Sequence, residues 1–323
     1  MNSTSENSIN STSENRSRAY VIVAPIFFSL EGMVIAFANG LVSVVMYKFQ
    51  SLRTPSNIVL LSITWADMII TPVLLAFAIM IASSKYTLAC AVAMLNSTVI
   101  KIIIFHLTLI SAERVYAIRH PLRYNRVVTV TRIRNALCVI WVTCVMSSLP
   151  AFVDDKFRGI LAYCKQNQSE YSFQALDYFT GVLHYLFPFW LVVVSYVYIA
   201  RVSLRQRKQV CTRHMISHAR RQARDLKAAK TMAIIIGLFL LSFLPLVVIL
   251  SLQLFRMRLS SITYRRLTNI GYFLANLCAL WNPVVYAYRN QAFKGAIRRL
   301  LHIRRLAIRR DVGSHRSRNH LER

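Results

Sequence analysis

"NIVLLSITWADMIITPVLLAFAIMIA", residues 57–82, decides the fold. It exceeds the roughly 20 apolar residues that a helix needs to cross a bilayer, and its one charge is Asp67. The chain around it has 323 residues, 55% of them hydrophobic, yet carries 40 Lys and Arg against 12 Asp and Glu. That balance would suggest nucleic acid if the cations were spread over a soluble domain. Here they lie between long stretches that are almost free of charge, which excludes a nucleic-acid binder and points to a membrane protein.

Seven apolar stretches follow one another, near 19–47, 57–82, 87–112, 135–153, 175–200, 228–252 and 267–288. Each reads as a spanning helix. The segments between them on the side of the C-terminus are 48–56, 113–134, 201–230 and 289–323, and they hold 29 of the 40 Lys and Arg. Loops rich in Lys and Arg stay cytoplasmic, so the N-terminus is expected outside and the C-terminus inside. An odd number of crossings requires opposite ends, which agrees. The expected architecture is an all-α, seven-transmembrane bundle. Residues 1–18 form an extracellular tail, 19–288 the bundle, and 289–323 a basic cytoplasmic helix and tail.

The outer side carries acceptor triplets for N-glycosylation at Asn2, Asn10, Asn15 and Asn167. Cys90 and Cys164 fall on the oxidising face and are expected to form a disulfide. The polar start lacks the basic-then-apolar pattern of a cleaved signal peptide, so the first span is expected to direct its own insertion. Nothing in the spacing of Cys, His and acids suggests a metal site, and no cofactor is expected. Neither an HExxH nor a GxSxG constellation is present, and no paired halves suggest a transporter.

Polar residues in a span turn inward, because lipid offers them no partner. Asn39, Asp67 and Asn282 fall at similar depth in spans one, two and seven. Asp67 reads either as a hydrogen-bonded packing node or as a switch whose proton or ion occupancy changes. Lys101 lies mid-span, too deep to snorkel easily. Glu31 is a second such residue, and a Glu31–Lys101 pair would neutralise both. Pro72, Pro188, Pro245 and Pro283 interrupt four spans. Each shapes or hinges its helix, and Pro245 is the preferred hinge.

Several short motifs now stand in order on these spans: "ANGLV" with Asn39, "LSITWAD" ending at Asp67, Cys90, "ERVY" at 113–116, Pro121-Leu122, Trp141, Pro188 with Tyr196, "FLLSFLP" at 239–245 and "NPVVY" at 282–286. Over residues 20–300 the chain resembles the rhodopsin-like (class A) G-protein-coupled receptors. The resemblance implies that an extracellular ligand shifts a two-state bundle and activates a heterotrimeric G protein. It implies that Glu113, and Asp225 at the inner end of span six, restrain Arg114 at rest. On activation Arg114 would turn toward Tyr196 and Tyr286 as span six swings outward. Pro121 and Leu122 would open the second inner loop, with Leu122 docking on the G protein. The segment after span seven would be an amphipathic eighth helix. Its apolar residues Phe293, Ile297, Leu300 and Leu301 would face the membrane, and its cations would face anionic inner-leaflet lipid. The family's anchoring cysteine is missing there. Ser314 and Ser317 are the tail's phosphate acceptors, so arrestin recruitment through phosphorylation is expected to be weak.

Departures from the family narrow the ligand. Phe243 replaces the usual tryptophan of span six. Ile103 and Cys278 stand where a cation site around Asp67 would have oxygen-bearing side chains. The amine-binding aspartate of span three corresponds to Asn96 counted from Arg114, or to Ser97 counted from Cys90. The retinal lysine of span seven corresponds to Asn276. An amine bound in the usual way and a retinal chromophore are both disfavoured. The expected pocket comprises Asn96, Ser97, Val99, Lys101, His184, Phe243, Tyr272 and Asn276, open to a small molecule, nucleoside, lipid or short peptide. The alternative is a receptor-fold protein that signals without a ligand or as a partner of another receptor.

Overall fold

The structure is a computed structural model that describes residues 3–83, 89–149, 181–211, 237–249, 251–252, 255, 261–289 and 293–300. Spans one to three are α1 (Ser3–Lys48), α2 (Pro55–Ser83) and α3 (Ala89–Arg119). A short α4 (Pro121–Val127) precedes span four, α5 (Val130–Met146), at an angle of 70°. Span five is a π-turn (Val182–Leu186) running into α6 (Phe187–Cys211). Span six is α7 (Gly237–Ile249). Span seven is α8 (Ser261–Asn276) followed, after a break at Leu277, by α9 (Cys278–Arg289). The eighth helix is α10, residues 293–300.

Local chemistry explains several boundaries. Thr54 caps α2: its hydroxyl accepts from the Asn57 amide at 3.3 Å, and Pro55 takes the first helical position, where its missing N–H costs nothing. Thr129 caps α5 in the same way, accepting from the Arg132 amide at 3.4 Å. The π-turn ends at Leu186, two residues before Pro188. Proline cannot donate to the turn preceding it, and a wider turn accommodates the loss. One consequence is that His184 and Tyr185, adjacent in sequence, are both buried.

Two helices run further than the apolar pattern indicates. Hydropathy reports which part of a helix lies in lipid, not where its hydrogen bonds end. α1 begins at Ser3, within the polar tail, although its strongly apolar part starts at Val21. α3 continues to Arg119, so Glu113 and Arg114 stand inside a helix, not in a loop after it.

The distribution of side chains is that of a membrane bundle. Large apolar groups face outward, among them Phe37, Trp65, Ile79, Trp190 and Leu241, all more than half exposed. The interior holds Ile70, Leu74, Ile100, Ile102, Ile103, Ile104, Phe239 and Phe243 together with Asn39, Asp67, Asn96, Lys101, His106 and Asn282. Water would reverse this arrangement, whereas lipid requires it. α7 and α8 pack so closely that a Cβ on Gly271 would come within 3.3 Å of the Leu246 backbone. Small residues permit such contacts between membrane helices. α10 buries Phe293 and Ala296 against Val42, Val45, Met46 and Leu52, with Ile297 and Leu300 alongside. Phe293, Ile297 and Leu300 thus share a face, but it packs on span one and Leu52 and is not turned to lipid; Leu301 lies outside the described residues.

Candidate functional site

Of the expected pocket residues, Asn96, Ser97 and Val99 lie on α3, His184 packs against it, and Phe243, Tyr272 and Asn276 lie on α7 and α8. Asn96 is buried, and its side-chain oxygen has no hydrogen-bond partner. Ser97 lies 2.6 Å from the Tyr185 hydroxyl, which is 3.1 Å from the Ser97 carbonyl. The carbonyl can only accept, so Tyr185 donates to it and the Ser97 hydroxyl donates to Tyr185. Val99 is buried beside them. His184 packs its ring edge-on to Phe105 at 5.8 Å. Phe243 is fully buried and stacks on Phe239 with ring centroids 4.4 Å apart. Tyr272 is half-buried on α8, and Asn276, one turn further in, is buried with its oxygen unpartnered.

Lys101 points elsewhere. Its ammonium donates to the Ser148 hydroxyl at 2.9 Å, at the end of span four. The Ser148 hydroxyl in turn donates to the Cys144 carbonyl at 2.9 Å, and the Thr98 hydroxyl lies 2.8 Å from it. Lys101 is therefore a tie between spans three and four. The Glu31–Lys101 pair does not form, and both Glu31 oxygens are buried without a partner.

A second interhelical tie involves His106. Its Nδ1 lies 2.6 Å from the Ile102 carbonyl and must carry the proton. Its Nε2 then accepts from the Ser62 hydroxyl at 2.7 Å, and Ser62 accepts from the Trp141 indole at 3.0 Å. Spans two, three and four are joined through one serine. Ser62, Ser148 and Tyr185 were not legible as site residues in the sequence. Pro188, three residues after Tyr185, was the one available signal for it.

The polar core lies below. Asn282 donates to Asp67 at 2.8 Å, and Asn39 donates to the carbonyls of Ile35 and Ala279, both at 3.1 Å. Spans one, two and seven are thereby tied together. Asp67 is fully buried, and its other oxygen has no partner. Pro283 follows Asn282 inside α9 and is buried. Among the described residues no group of three or more His, Cys, Asp or Glu is placed to hold a metal.

At the inner end, Glu113 is bonded, but hardly to Arg114. One oxygen accepts from the Ser56 hydroxyl at 2.6 Å and from the Tyr124 hydroxyl of α4. The other oxygen has no hydrogen bond and lies 4.0 Å from the Arg114 Nε, which also has none. The expected restraint of Arg114 by Glu113 is thus a loose contact, because neighbouring residues on a helix point in different directions. Burial first, then the bond to Glu113, raises the Tyr124 phenol above its ordinary value, so it remains a donor throughout the neutral range. Pro121 is exposed on the outside of α4, and Leu122 is 97% exposed, an apolar side chain with nothing covering it. Tyr196 and Pro245 are half-buried on α6 and α7. Tyr286 and Cys90 lie in α9 and α3, with side chains outside the described residues, as are those of Asn10 and Asn15 in α1. Asn2, Cys164, Asn167 and Asp225 lie outside the described residues altogether.

Comparison with known proteins agrees with this arrangement. Residues 38–286 match the family described as "7 transmembrane receptor (rhodopsin family)". Adenosine receptor A2b of Rattus norvegicus is 30% identical over 306 residues, covering 85% of this chain and 90% of the relative. The A2b receptor of Homo sapiens is 28% identical over 319 residues, covering 90% and 93%. The A2a receptor of Homo sapiens is 27% identical over 282 residues, covering 81% and 68%. Membership of this family implies a multi-pass plasma-membrane protein that receives an extracellular ligand and works through a heterotrimeric G protein; it is not an enzyme. With its tied polar core, inner arginine and match across most of its length, the chain belongs to the rhodopsin family of seven-transmembrane receptors.

Proposed function

We propose that the chain is a receptor for an extracellular small molecule of nucleoside type, bound among Asn96, Ser97, Val99, His184, Phe243, Tyr272 and Asn276. The observation that carries this reading is the match, across most of both chains, to receptors named for adenosine. The unpartnered oxygens of Asn96 and Asn276 support it, since a ligand with N–H and O–H groups would satisfy them. Lys101 contributes by fixing span four against span three. The N-terminus lies outside with glycans on Asn2, Asn10, Asn15 and Asn167, and the Cys90–Cys164 disulfide closes the outer face. On activation span six swings outward around Pro245, away from Asp225's contact with Arg114. Arg114 then meets Tyr196 and Tyr286, and the G protein enters the cleft with Leu122 docked on it. α10 rests on anionic lipid, and arrestin binding is weak.

The test is a panel of nucleosides, adenosine first, applied to cells carrying G-protein activation sensors. A saturable response is expected. No response to any nucleoside, with the receptor at the surface, would count against the ligand class. In the same assay Asp225→Ala is expected to raise basal signal, and unchanged basal and stimulated signal would sink the proposed restraint.

A second restraint at the inner end lies among the described residues. Glu113 is held there on Ser56 and Tyr124, with Arg114 only in loose contact. Hydrogen bonds to charged groups contribute about 1.5–3 kcal/mol. Tyr124→Phe removes one of them and, for a bond made only at rest, is expected to raise basal G-protein activation about tenfold or more. Wild-type basal signal in that variant would show that α4 is not part of the restraint.

A further inference from the structure

Lys101 carries a charge that the receptor reading leaves unbalanced. It is 7% exposed in the middle of α3. Its tie to Ser148 uses one of three ammonium N–H groups and returns a hydroxyl dipole, not a charge. No carboxylate within the described spans compensates it. The oxygens of Glu31 have no partner at all, Asp67 is held by Asn282, and Glu113 lies at the inner end on Ser56 and Tyr124. A buried cation without an anion is costly, and an ionisable group inside a span marks function before it marks packing.

The contacts around Lys101 define what it faces. Ser97, Lys101 and Phe105 follow one another at i, i+4 spacing, so they are neighbours on one side of α3 and turn by only about 40° at each step. One turn outward, Ser97 lies 2.6 Å from the Tyr185 hydroxyl. One turn inward, the Phe105 ring packs on His184 at 5.8 Å. His184 and Tyr185 are consecutive residues of span five, so the contacts on either side of Lys101 go to the same turn of that helix. Cys144 of span four interacts electrostatically with both Lys101 and Tyr185. Lys101 thus stands in a corner where spans three, four and five meet, about 6 Å inward of Ser97 by helical rise. Ser97 is half-buried, whereas Asn96, Thr98 and Val99 around it are buried, so the corner meets accessible space at Ser97.

We propose that Lys101 is the counter-cation of a carboxylate carried by the ligand, which passes Ser97 and enters the corner between spans three, four and five. This inference rests on the small-molecule receptor reading above and adds the charge of the ligand to it. The two ammonium N–H groups that Ser148 does not use donate to the carboxylate, and the charges cancel. One cation balances one negative charge, whereas a phosphate dianion would leave a second charge buried. Span three lacks the acid that an amine ligand needs and brings a cation instead. A heteroaromatic ring system bearing a carboxylate meets both this requirement and the nucleoside-type pocket.

The test uses the purified full-length receptor, its thermal unfolding followed at neutral pH with benzoate as the anionic probe. Benzamide serves as the neutral isostere, and sodium chloride at equal ionic strength as the inorganic anion. Benzoate is expected to raise the midpoint by about two degrees or more in a saturable manner, and benzamide and sodium chloride are not. Lys101→Gln keeps an amide donor for Ser148 and removes the charge, so it separates the anion site from the tie. It is expected to abolish the benzoate rise, and a tie alone predicts no benzoate response in either protein. Lys101→Met is measured beside it, with the same loss expected, so that the result does not hang on one variant folding. The proposal is overturned by no rise with benzoate in the wild type, by an equal rise in either Lys101 variant, or by an equal rise with benzamide or sodium chloride. If neither variant folds, the three wild-type arms decide alone. The readout needs no G protein and no nucleoside, so its failure is distinguishable from failure of the receptor assay.

Discussion

Arg114→Ala is expected to reduce G-protein activation, basal and nucleoside-driven, at least tenfold, with surface expression within about twofold of wild type. The asymmetry is the point of the prediction. A tenfold loss corresponds to about 1.4 kcal/mol of coupling free energy, which is modest for an arginine that contacts a partner protein directly. The cost to the isolated bundle is smaller. The contact with Glu113 is 4.0 Å long with Arg114 26% exposed, and such a pair contributes at most about 1 kcal/mol. The Nε is buried without a hydrogen bond, so removing it also removes an unsatisfied donor. Arg114→Lys is expected to behave like alanine, because a point charge on a flexible stem does not reproduce the planar fork of a guanidinium. G-protein sensors and labelling of an extracellular tag measure the two quantities in the same cells. Wild-type signalling by Arg114→Ala would remove Arg114 from the coupling mechanism.

What could be read from the sequence was set by the lipid. A bilayer imposes length, composition and loop charge on every span, and those constraints are local. The seven stretches and the inward-facing Asn39, Asp67 and Asn282 could therefore be read from one sequence. Partnerships between helices are not local. Ser148 is an unremarkable serine until the fold brings it to Lys101. Glu113 and Arg114 are neighbours in the chain, and adjacency suggested a pair. Helical geometry separates consecutive side chains by about 100°, so Glu113 turns to Ser56, 57 positions earlier in sequence. That separation was available from the pattern and outweighs the charge complementarity. The π-turn before Pro188 belongs to an intermediate class: the proline signals an irregularity but does not say which residues it turns inward.

The second large effect concerns the polar core. Asn282→Ala is expected to destabilise the receptor by about 1–3 kcal/mol, because it removes the donor 2.8 Å from a fully buried Asp67. The other Asp67 oxygen already lacks a partner, so the variant would bury a carboxyl group with no hydrogen bond at all. Asp67→Ala creates the opposite orphan, the Asn282 amide. Removing both side chains removes both orphans. The double variant is thus expected to be less destabilised than the sum of the two single ones, with a coupling of about 1–2 kcal/mol. Strict additivity in thermal unfolding of the four purified proteins would mean that the bond contributes nothing to holding span two on span seven. Replacing choline chloride with sodium chloride should leave the wild-type midpoint unchanged. By the family resemblance, the positions that would bring oxygen ligands to a cation at Asp67 are Ile103 and Cys278, both buried and neither bearing an oxygen on its side chain. A sodium-dependent rise that vanishes in Asp67→Ala would show that backbone carbonyls or water complete a cation site there, and the node would then be a regulatory one. The bond also has a consequence beyond stability. Asn39 holds Ala279 and Asp67 holds Asn282, so two side-chain ties fix the start of α9, the helix that carries Tyr286 toward the inner mouth. If Tyr286 is to meet Arg114 when the bundle opens, α9 must turn about these ties. Cutting one of them is expected to alter basal signalling even in molecules that remain folded.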